Sequence, residues 1–409
     1  MIFGNSTYTC PYCFEHSDNG DSIWFQCSDQ SCAFNDKIRF EFIHNRSPEH
    51  GEYVPLSRYV FEVPGRGLME RLFTRTPQNS CCPACGQWTA TRACQHCHSA
   101  LPDGIGGKSN MVIAIVGDTC AGKSNYIAVL IQRIRELYKQ FGWTFGAADC
   151  FTDDYYKKAF HKPLYVDAKT VCATLSAHGN IDARRPLLYS LDMAQGNKWK
   201  SIILSFFDTC GTDLHDHHNG FNTIERMMKL YPCIYNATGI ILLADPLNFP
   251  EIREKVKLSG ISEDTMFPIN IMAAGNIIER VINLIQCRKQ LGRDKKIDIP
   301  LAVTFSKIDL LKTILGGDAP VFQQSLHNGV FSLADFQNNN DCFRDWIYEY
   351  DPQLISATRC FKDAAFFGVS ALGGNPDKIV NLPFAKPLPI RVEDPLLWLL
   401  WKNGFLKGI

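Results

Sequence analysis

Short apolar runs followed by helix-like segments dominate the chain from residue 111 onward. Met111–Val116 is a continuous apolar run rich in β-branched residues, which is typical of a strand buried on both faces of a parallel sheet. Asn125–Leu137 follows it, with apolar residues at the spacing of an amphipathic helix. This alternation predicts an α/β fold, in which a mostly parallel sheet carries helices on both faces.

A hairpin adds one strand of opposite direction to the predicted sheet. Trp199–Asp208 is an apolar strand that ends in an aspartate, and Arg185–Met193 precedes it across Gln-Gly-Asn-Lys, which is a hairpin signal. The pattern therefore favours one antiparallel strand beside otherwise parallel neighbours. Further strands are predicted at Gly239–Asp245, Ile299–Phe305 and Ala365–Val369, and a long helix with an apolar stripe at Asn270–Leu291.

Length and charge narrow the class of protein. The 409 residues are enough for two or three domains. Lysine plus arginine and aspartate plus glutamate number 42 each, so no overall field draws the chain to nucleic acid or to anionic membranes. We predict a cytoplasmic protein, because no apolar stretch reaches the length of a transmembrane segment and Met1–Cys10 lacks the pattern of a signal peptide.

The C-terminal segment Pro395–Lys402 places two tryptophans in a short apolar run. This run is too short to span a bilayer. We expect the tryptophans to dock on the core of the protein, and contact of this segment with a partner or a membrane surface is the alternative.

Paired cysteines near the N-terminus predict structural zinc. Nine of the 17 cysteines fall in the first hundred residues, and two-residue spacing lets one tight turn present two thiolates to a tetrahedral ion. Eight of these cysteines suffice for two zinc ions. The simplest pairing joins neighbours in sequence, and a cross-braced arrangement that mixes early and late pairs stays open. In the simplest pairing one site holds Cys10, Cys13, Cys27 and Cys32, and the other holds Cys82, Cys85, Cys94 and Cys97.

Neighbouring residues offer substitutes for some of these ligands. Cys81 adjoins Cys82, but the C-P-x-C-G form of the segment favours Cys82. His16, His96 and His98 are expected to be ordinary surface residues rather than ligands. Because a closed four-cysteine site has no open position for water, we expect no catalysis there.

The segment Gly117–Ser124 reads G-D-T-C-A-G-K-S and matches the phosphate-binding loop pattern G-x-x-x-x-G-K-[ST]. It lies between the first predicted strand and its helix, where backbone N–H groups and the helix N-terminus can surround a phosphate. Lys123 is expected to reach the β- and γ-phosphates and Ser124 to bind magnesium. The predicted loop residues are Gly117, Asp118, Thr119, Cys120, Ala121, Gly122, Lys123, Ser124 and Asn125.

Three later motifs follow strands in the order found in guanine-nucleotide proteins. Asp208 and Gly211 belong to D-T-C-G, in which the aspartate is expected to hold magnesium and the glycine N–H to sense the γ-phosphate. The S-K-I-D element of Ser306, Lys307 and Asp309 approximates [NT]-K-x-D, and its aspartate is predicted to accept hydrogen bonds from guanine. Ser306 departs from that pattern. The third motif, S-A-L, comprises Ser370, Ala371 and Leu372, and a backbone N–H there is expected to meet guanine O6.

From about Ser109 to about Gly373 these motifs resemble a TRAFAC-class GTPase with a Ras-like sheet. With zinc-ribbon cysteines in front and Arg391–Leu400 behind, the layout is similar to the double-GTPase family of bacterial conflict systems. The resemblance implies a switch that uses GTP, GDP and Mg²⁺. It also implies a protein partner, such as a second GTPase or a second copy of the chain, and a role in antiviral defence.

The resemblance divides the chain into four parts. A zinc-ribbon region is expected at 1–100, a linker rich in glycine and proline at 101–110, a GTPase domain at 111–385 and a helical extension at 386–409.

Departures from the Ras-like pattern predict slow hydrolysis. Thr212 stands where those enzymes carry the glutamine that orients water, and Asp213 beside it is a candidate for that role. Thr119 and Cys120 replace glycines of the phosphate loop. We therefore expect a partner or dimerisation to stimulate turnover. A non-hydrolysing nucleotide-binding scaffold and a P-loop ATPase are the alternatives.

The first switch has two candidate threonines, Thr170 and Thr174. Together with Lys123, Thr212 and Asp213 they complete the predicted catalytic set.

Overall fold

The computed structural model describes residues 7–18, 22–44, 46–64, 77–105, 108–171, 185–195, 198–209, 223–260, 274–292, 294–376, 381–382 and 384–409. Its strands are β1 (Thr7–Thr9), β2 (His16–Asp18), β3 (Ser22–Gln26), β4 (Ala33–Asn35), β5 (Leu56–Arg58), β6 (Val60–Pro64), β7 (Ser80–Cys81), β8 (Trp88–Thr89), β9 (Ser109–Gly117), β10 (Trp143–Ala147), β11 (Leu187–Gln195), β12 (Lys198–Asp208), β13 (Gly239–Ala244), β14 (Leu301–Phe305) and β15 (Ala364–Gly368).

The α-helices are α1 (Lys37–His44), α2 (Lys123–Glu136), α3 (Tyr138–Phe141), α4 (Cys150–Tyr155), α5 (Thr223–Leu230), α6 (Pro232–Tyr235), α7 (Pro250–Leu258), α8 (Ala274–Lys289), α9 (Lys312–Leu315), α10 (Leu333–Tyr350), α11 (Pro352–Thr358) and α12 (Asp394–Lys402). A π-helix over Tyr156–Val166 continues α4, and short 3₁₀ turns lie at Pro246–Asn248, Ile308–Leu311 and Pro320–Phe322.

One seven-stranded sheet, in the order β10-β11-β12-β9-β13-β14-β15, organises the larger part of the molecule. Strand β11 runs antiparallel to both of its neighbours, and the other adjacent pairs are parallel. The structure thus confirms a mostly parallel sheet with one antiparallel strand. It adds β10, an edge strand that the hydropathy pattern did not predict.

Helices cover both faces of this sheet. Consecutive residues of β9 alternate between two apolar layers, with Val112 and Ala114 on one side and Ile113 and Ile115 on the other. The first layer includes side chains of α8, α10 and α11, and the second includes side chains of α2 and α12. Because the central strands are buried on both faces, they appear in the sequence as unbroken apolar runs rather than as alternating ones.

The C-terminal helix α12 belongs to the second layer. Trp398 is only 1% exposed, and a Cβ on Gly239 would lie 2.8 Å from Cδ2 of Leu399. Trp401 stacks on Phe331 with the ring centroids 5.4 Å apart. The tryptophans therefore dock on the core, as expected. Within the described ranges, no helix has both the length and the apolar character needed to cross a membrane.

The N-terminal region is built from two-stranded sheets around β3. This strand pairs with β6 on one side, and on the other side it exchanges backbone hydrogen bonds with residues 91–93. The region joins the large sheet through Phe14, whose ring lies 5.5 Å from that of Phe207 near the end of β12. The amide of Asn110 also donates to the Thr9 carbonyl, at 3.4 Å.

Candidate functional site

The cysteines form two clusters, and both combine an early pair with a late pair. The first contains Cys10, Cys13, Cys94 and Cys97, and the second contains Cys27, Cys32, Cys82 and Cys85. The sequential pairing that seemed simplest is therefore wrong, and the cross-braced arrangement is the one that forms. Cys81 is exposed and lies outside both clusters, so Cys82 is the member of this neighbouring pair that joins a cluster.

Strand pairing explains the cross-bracing. Backbone bonds from Gln26 N to Thr91 O and from Ala93 N to Trp24 O, each 2.9 Å long, hold the segment before Cys94 along β3. Cys27 follows the same strand, and its Sγ lies 3.4 Å from that of Cys85 in the Cys82–Cys85 turn. The late cysteines are thus distributed over two sites because β3 lies between them.

Three of the four cysteine pairs share one turn geometry. The residue after each C-x-x-C adopts a left-handed conformation, namely Phe14, Gly86 and His98. In each turn that residue's N–H donates to the carbonyl of the first cysteine, at 2.9 to 3.0 Å. The Cys27–Cys32 pair, with four residues between its members, instead forms a turn in which Asp29 accepts from the Ser31 N–H at 2.9 Å. The spacing difference seen in the sequence therefore corresponds to a different loop structure.

Both clusters fit tetrahedral zinc. An ion with four sulfurs at about 2.3 Å separates neighbouring sulfurs by about 3.8 Å. Two of the Sγ–Sγ distances are 3.8 and 3.7 Å in the first cluster, and two are 3.4 and 3.9 Å in the second. The four sulfurs of each cluster all lie within 4.8 Å of one another. Eight thiols at these separations have no disulfide among them and can hold two zinc ions.

His98 is not the surface residue that was expected. It is 6% exposed, and its Nδ1 lies 2.9 Å from both carboxylate oxygens of Asp36. This pair ties helix α1 to the Cys94–Cys97 turn. It supports the first cluster without contributing a ligand to it.

The phosphate-loop segment forms the predicted turn between β9 and α2. Gly122 has a left-handed backbone at the start of α2, with φ of 86°. The Lys123 ammonium is buried and donates to the carbonyls of Gly117 and Asp118, at 2.9 and 2.7 Å. The lysine thus lies over the loop that a phosphate would occupy.

Gly117 is required by close packing against β13. A Cβ at this position would lie 2.2 Å from the Leu243 carbonyl oxygen. We expect Gly117→Ala to lower the free energy of unfolding by about 3 kcal/mol, since backbone must shift to relieve the overlap. Urea unfolding followed by circular dichroism measures this change. Gly146→Ala is the matched control, because its Cβ would meet nothing within 4 Å; equal losses in the two variants would contradict the packing argument.

Two predicted magnesium ligands meet beside the loop. The Ser124 hydroxyl donates to Oδ2 of Asp208 across 2.8 Å. Adjacent oxygens around an octahedral Mg²⁺ with bonds of about 2.1 Å lie about 3.0 Å apart, so these two atoms fit neighbouring coordination positions. Thr209, which follows Asp208, fixes the strand end by donating its hydroxyl to the Ile115 carbonyl at 2.8 Å.

The first candidate switch threonine lies near the phosphate-loop helix. The Asn125 side chain accepts the N–H of Val171 at 3.0 Å, which holds the neighbouring Thr170 close to the start of α2. The same segment also contacts a later part of the chain, because Leu382 N donates to Ala168 O at 2.8 Å. The other candidate, Thr174, lies outside the described residues, as do Gly211, Thr212 and Asp213.

The S-K-I-D residues are fixed by the neighbouring strand ends. Ser306 donates its hydroxyl to the Ala244 carbonyl at 3.2 Å, and Lys307 pairs with Asp245 at 2.5 Å. Lys307 also has a left-handed backbone, with φ of 55°. Burial raises the pKa of the Cys120 thiol, and the nearby Lys307 ammonium opposes that shift. The phosphate loop and the S-K-I-D loop are therefore neighbours.

Asp309 is oriented by the S-A-L motif. The Ser370 hydroxyl donates to Oδ1 of Asp309 at 2.5 Å and accepts the Gly373 N–H at 3.0 Å. Burial raises the pKa of Asp309, while the Ser370 hydrogen bond lowers it. Ala371 and Leu372 follow in the same loop and are partly buried. The serine thus holds the carboxylate that is predicted to read guanine.

Asp245 is the residue of this site that the motifs did not single out. It is 7% exposed, and its second carboxylate oxygen accepts the Leu247 N–H at 2.9 Å. Its position at the carboxyl end of a central strand was the available signal, because ligands of open α/β sheets gather at that edge.

A third group of potential metal ligands is a buried ion-pair network instead. His327, Asp335 and Asp394 approach one another, but Arg391 donates to both carboxylates, at 2.5 and 2.8 Å. His327 Nδ1 accepts the Ser332 N–H at 3.0 Å, so the proton of the neutral ring resides on Nε2, the nitrogen that faces the carboxylates. Burial lowers the pKa of His327 to about 4, which keeps the ring neutral. A protonated Nε2 cannot bind a metal.

Comparison with known proteins finds one curated relative of similar extent. The chain is 24% identical over 340 residues to a Mycolicibacterium smegmatis protein named "Putative ESX-1 scaffolding and assembly protein SaeC", covering 78% of this chain and 82% of the relative. No family model matches the chain. Sequence identity at this level shows that the two proteins are related, but it does not assign this chain to a family.

Solved structures with partial similarity include three with a bound guanine nucleotide. They include Methanosarcina barkeri Roco2 bound to GDP (13% identity, TM-score 0.21, 64% of this chain and 43% of that one) and the GTPase-like domain of S. cerevisiae Ski7 bound to GTP (14%, 0.30, 72% and 50%). A third is Sup35 complexed with GDP (12%, 0.24, 68% and 42%). The chain spans half or less of each of these structures, and similarity of this size decides neither fold nor function.

Proposed function

We propose that this protein binds a guanine nucleotide with magnesium and hydrolyses GTP slowly, as a switch. The observation that carries the proposal is the convergence of four separate motifs at one edge of the sheet. Lys123, Asp208, Asp309 and Ser370 all lie at or just beyond the carboxyl ends of strands that pair in parallel. Ligands of such sheets bind at this edge.

Each motif has a role that its contacts support. Lys123 would exchange its loop carbonyls for the phosphates, and Ser124 with Asp208 would hold Mg²⁺, which neutralises phosphate charge. Asp309, held by Ser370, would accept the two N–H donors of guanine. Asp208 and Asp309 are already positioned by hydrogen bonds, which favours recognition by a site that is partly preformed.

Slow hydrolysis follows from the residues around the phosphates. Thr119 and Cys120 add side chains to the loop, and Thr212 replaces the glutamine that orients water in Ras-like enzymes. A partner that supplies the missing group would raise the rate. The proposed partner, the double-GTPase family and a role in bacterial defence stay predictions.

The guanine assignment is tested by Asp309→Asn. We expect this variant to lose at least about tenfold in GDP affinity, because a hydrogen bond to a charged group contributes about 1.5–3 kcal/mol. Affinity for ADP should stay within about twofold. Calorimetric titration of both nucleotides measures the difference, with the exposed Asp318→Asn as the matched control. Tighter binding of ADP than of GDP by the wild type would exclude the guanine assignment.

A nucleotide-binding scaffold without turnover is the second candidate. The altered phosphate loop favours it, and so does the word "scaffolding" in the name of the relative. Phosphate release under multiple turnover separates the two functions. If GDP binds and Asp309→Asn weakens it, but GTP is not consumed even with a captured partner, the scaffold function holds and the GTPase function does not.

A further inference from the structure

A cavity of about 640 Å³ lies where the zinc region meets the nucleotide domain. Its volume is in the range of small-molecule sites, about 300–1,000 Å³. The zinc region contributes Tyr12 and the Cys13–Phe14 turn, and the other wall is formed by Phe207–Thr209 and residues 228–233. The predicted phosphate loop does not line this cavity.

The described lining is strongly cationic. Arg39, Arg58, Arg185 and Lys229 contribute four positive charges, and Asp208 is the one acid among the described lining residues. The Arg58 side chain is exposed and forms no hydrogen bond or ion pair with any residue that the structure describes. Arg185 forms an ion pair with Asp149 across 3.6 Å, and its guanidinium stacks on Phe151 at 3.7 Å. The cavity therefore favours an anion.

Geometry further restricts the anion. Arg39 donates through Nη1 to the Ser99 hydroxyl and to the Cys97 carbonyl, which positions its guanidinium while leaving its other donors available. Guanidinium groups match phosphate oxygens through paired N–H donors. Six aromatic residues line the cavity, namely Tyr12, Phe14, Phe42, Phe207, Tyr231 and Tyr235. Tyr12, Phe42 and Tyr235 are partly exposed and offer stacking surfaces for a planar ring.

We propose that this cavity is a second ligand site, which binds a small phosphorylated molecule with a planar ring, of the nucleoside monophosphate class. Arg58, Arg39 and Arg185 bind the phosphate, and the aromatic walls enclose the ring. The phosphate loop is not part of this site, although Asp208 lines both this cavity and the predicted magnesium site. Its ligand touches both the first cysteine cluster and the end of β12, so it bridges the two parts of the chain.

The test uses zinc-loaded full-length protein and adenosine 5′-monophosphate as the probe, in the presence of saturating GDP and Mg²⁺. Saturation-transfer NMR on the adenine protons, with calorimetry, gives the affinity. We expect binding to the wild type, a loss of at least about tenfold in Arg58→Glu and in Arg185→Glu, and a change below about twofold in Lys37→Glu. Lys37 is an exposed cation of the same region and does not line the cavity.

Further variants and a second probe show where AMP binds and which results would contradict the proposal. If Lys123→Ala still binds AMP, the result supports the cavity as the binding site. If Lys123→Ala loses AMP binding and Arg58→Glu keeps it, the probe binds at the phosphate loop and the proposal is wrong. Absence of AMP binding to the wild type also overturns it. If inorganic phosphate binds as tightly as AMP, the planar ring adds nothing to the affinity, and the proposal that the site recognises such a ring is wrong. GDP affinity is measured in the same samples, so that failure of the cavity proposal can be distinguished from failure of the proposed nucleotide-binding function. Unchanged zinc content and an unchanged circular dichroism spectrum show that each variant is folded.

Discussion

In a chain carrying Cys10→Ser together with Cys94→Ser, we expect one zinc ion to remain of the two that we predict for the wild type. Both cysteines belong to the same cluster, so the other cluster keeps its four sulfurs. Cys10→Ser with Cys82→Ser should remove both ions, because it damages one ligand of each cluster. If the cysteines paired sequentially, Cys10 and Cys94 would belong to different sites, and the first variant would also lose both ions. The expected loss is large, since a structural zinc site contributes about 10–16 kcal/mol of binding free energy.

Metal content is measured by mass spectrometry on gel-filtered protein. Cys81→Ser is the control and should keep both ions, because this thiol lies outside the clusters. Cys82→Ser with Cys94→Ser completes the set. Cross-bracing predicts that it loses both ions, and retention of one ion there would contradict the observed pairing.

Lys123→Ala should weaken GDP binding by about 100-fold or more. In the free protein the buried ammonium donates to two loop carbonyls, and it gains negatively charged acceptors when phosphates enter. Two charge-assisted hydrogen bonds of about 1.5–3 kcal/mol each amount to at least this factor. Titration with a fluorescent GDP analogue measures the affinity. Lys139→Ala, an exposed lysine beyond α2, should leave it within about twofold, and equal losses in both variants would place the nucleotide elsewhere.

The local pattern of apolar and polar residues was sufficient to predict the central strands and the position of the phosphate-loop segment. Met111–Val116 is apolar at every position because both faces of β9 are buried, and the loop is bounded by this strand and by α2. Strand β10 lacks such a signal. As an edge strand it buries only Trp143 fully, and its sequence Trp-Thr-Phe-Gly-Ala contains a glycine that weakens any strand prediction.

Contacts between segments that are distant in the sequence could not be predicted from the local pattern of residues. The zinc pairing depends on residues 91–93 lying along β3, and no spacing between cysteines encodes that register. The burial of His98 depends on Asp36, which is 62 positions away. Asp245 acquires its role only because Lys307, also 62 positions away, follows the adjacent strand. Motifs identify residue types, whereas pairing of strands decides which residues become neighbours.

The contact between Phe14 and Phe207 links two equilibria. Phe14 directly follows the ligand Cys13, and Phe207 directly precedes Asp208, so a displacement of either ring reaches a predicted metal ligand within one residue. Thermodynamic linkage is reciprocal. If nucleotide and magnesium shift the end of β12, the first cluster must bind zinc more tightly or more weakly by the same factor by which zinc alters nucleotide affinity. Zinc supply would then change the fraction of the protein that holds a nucleotide.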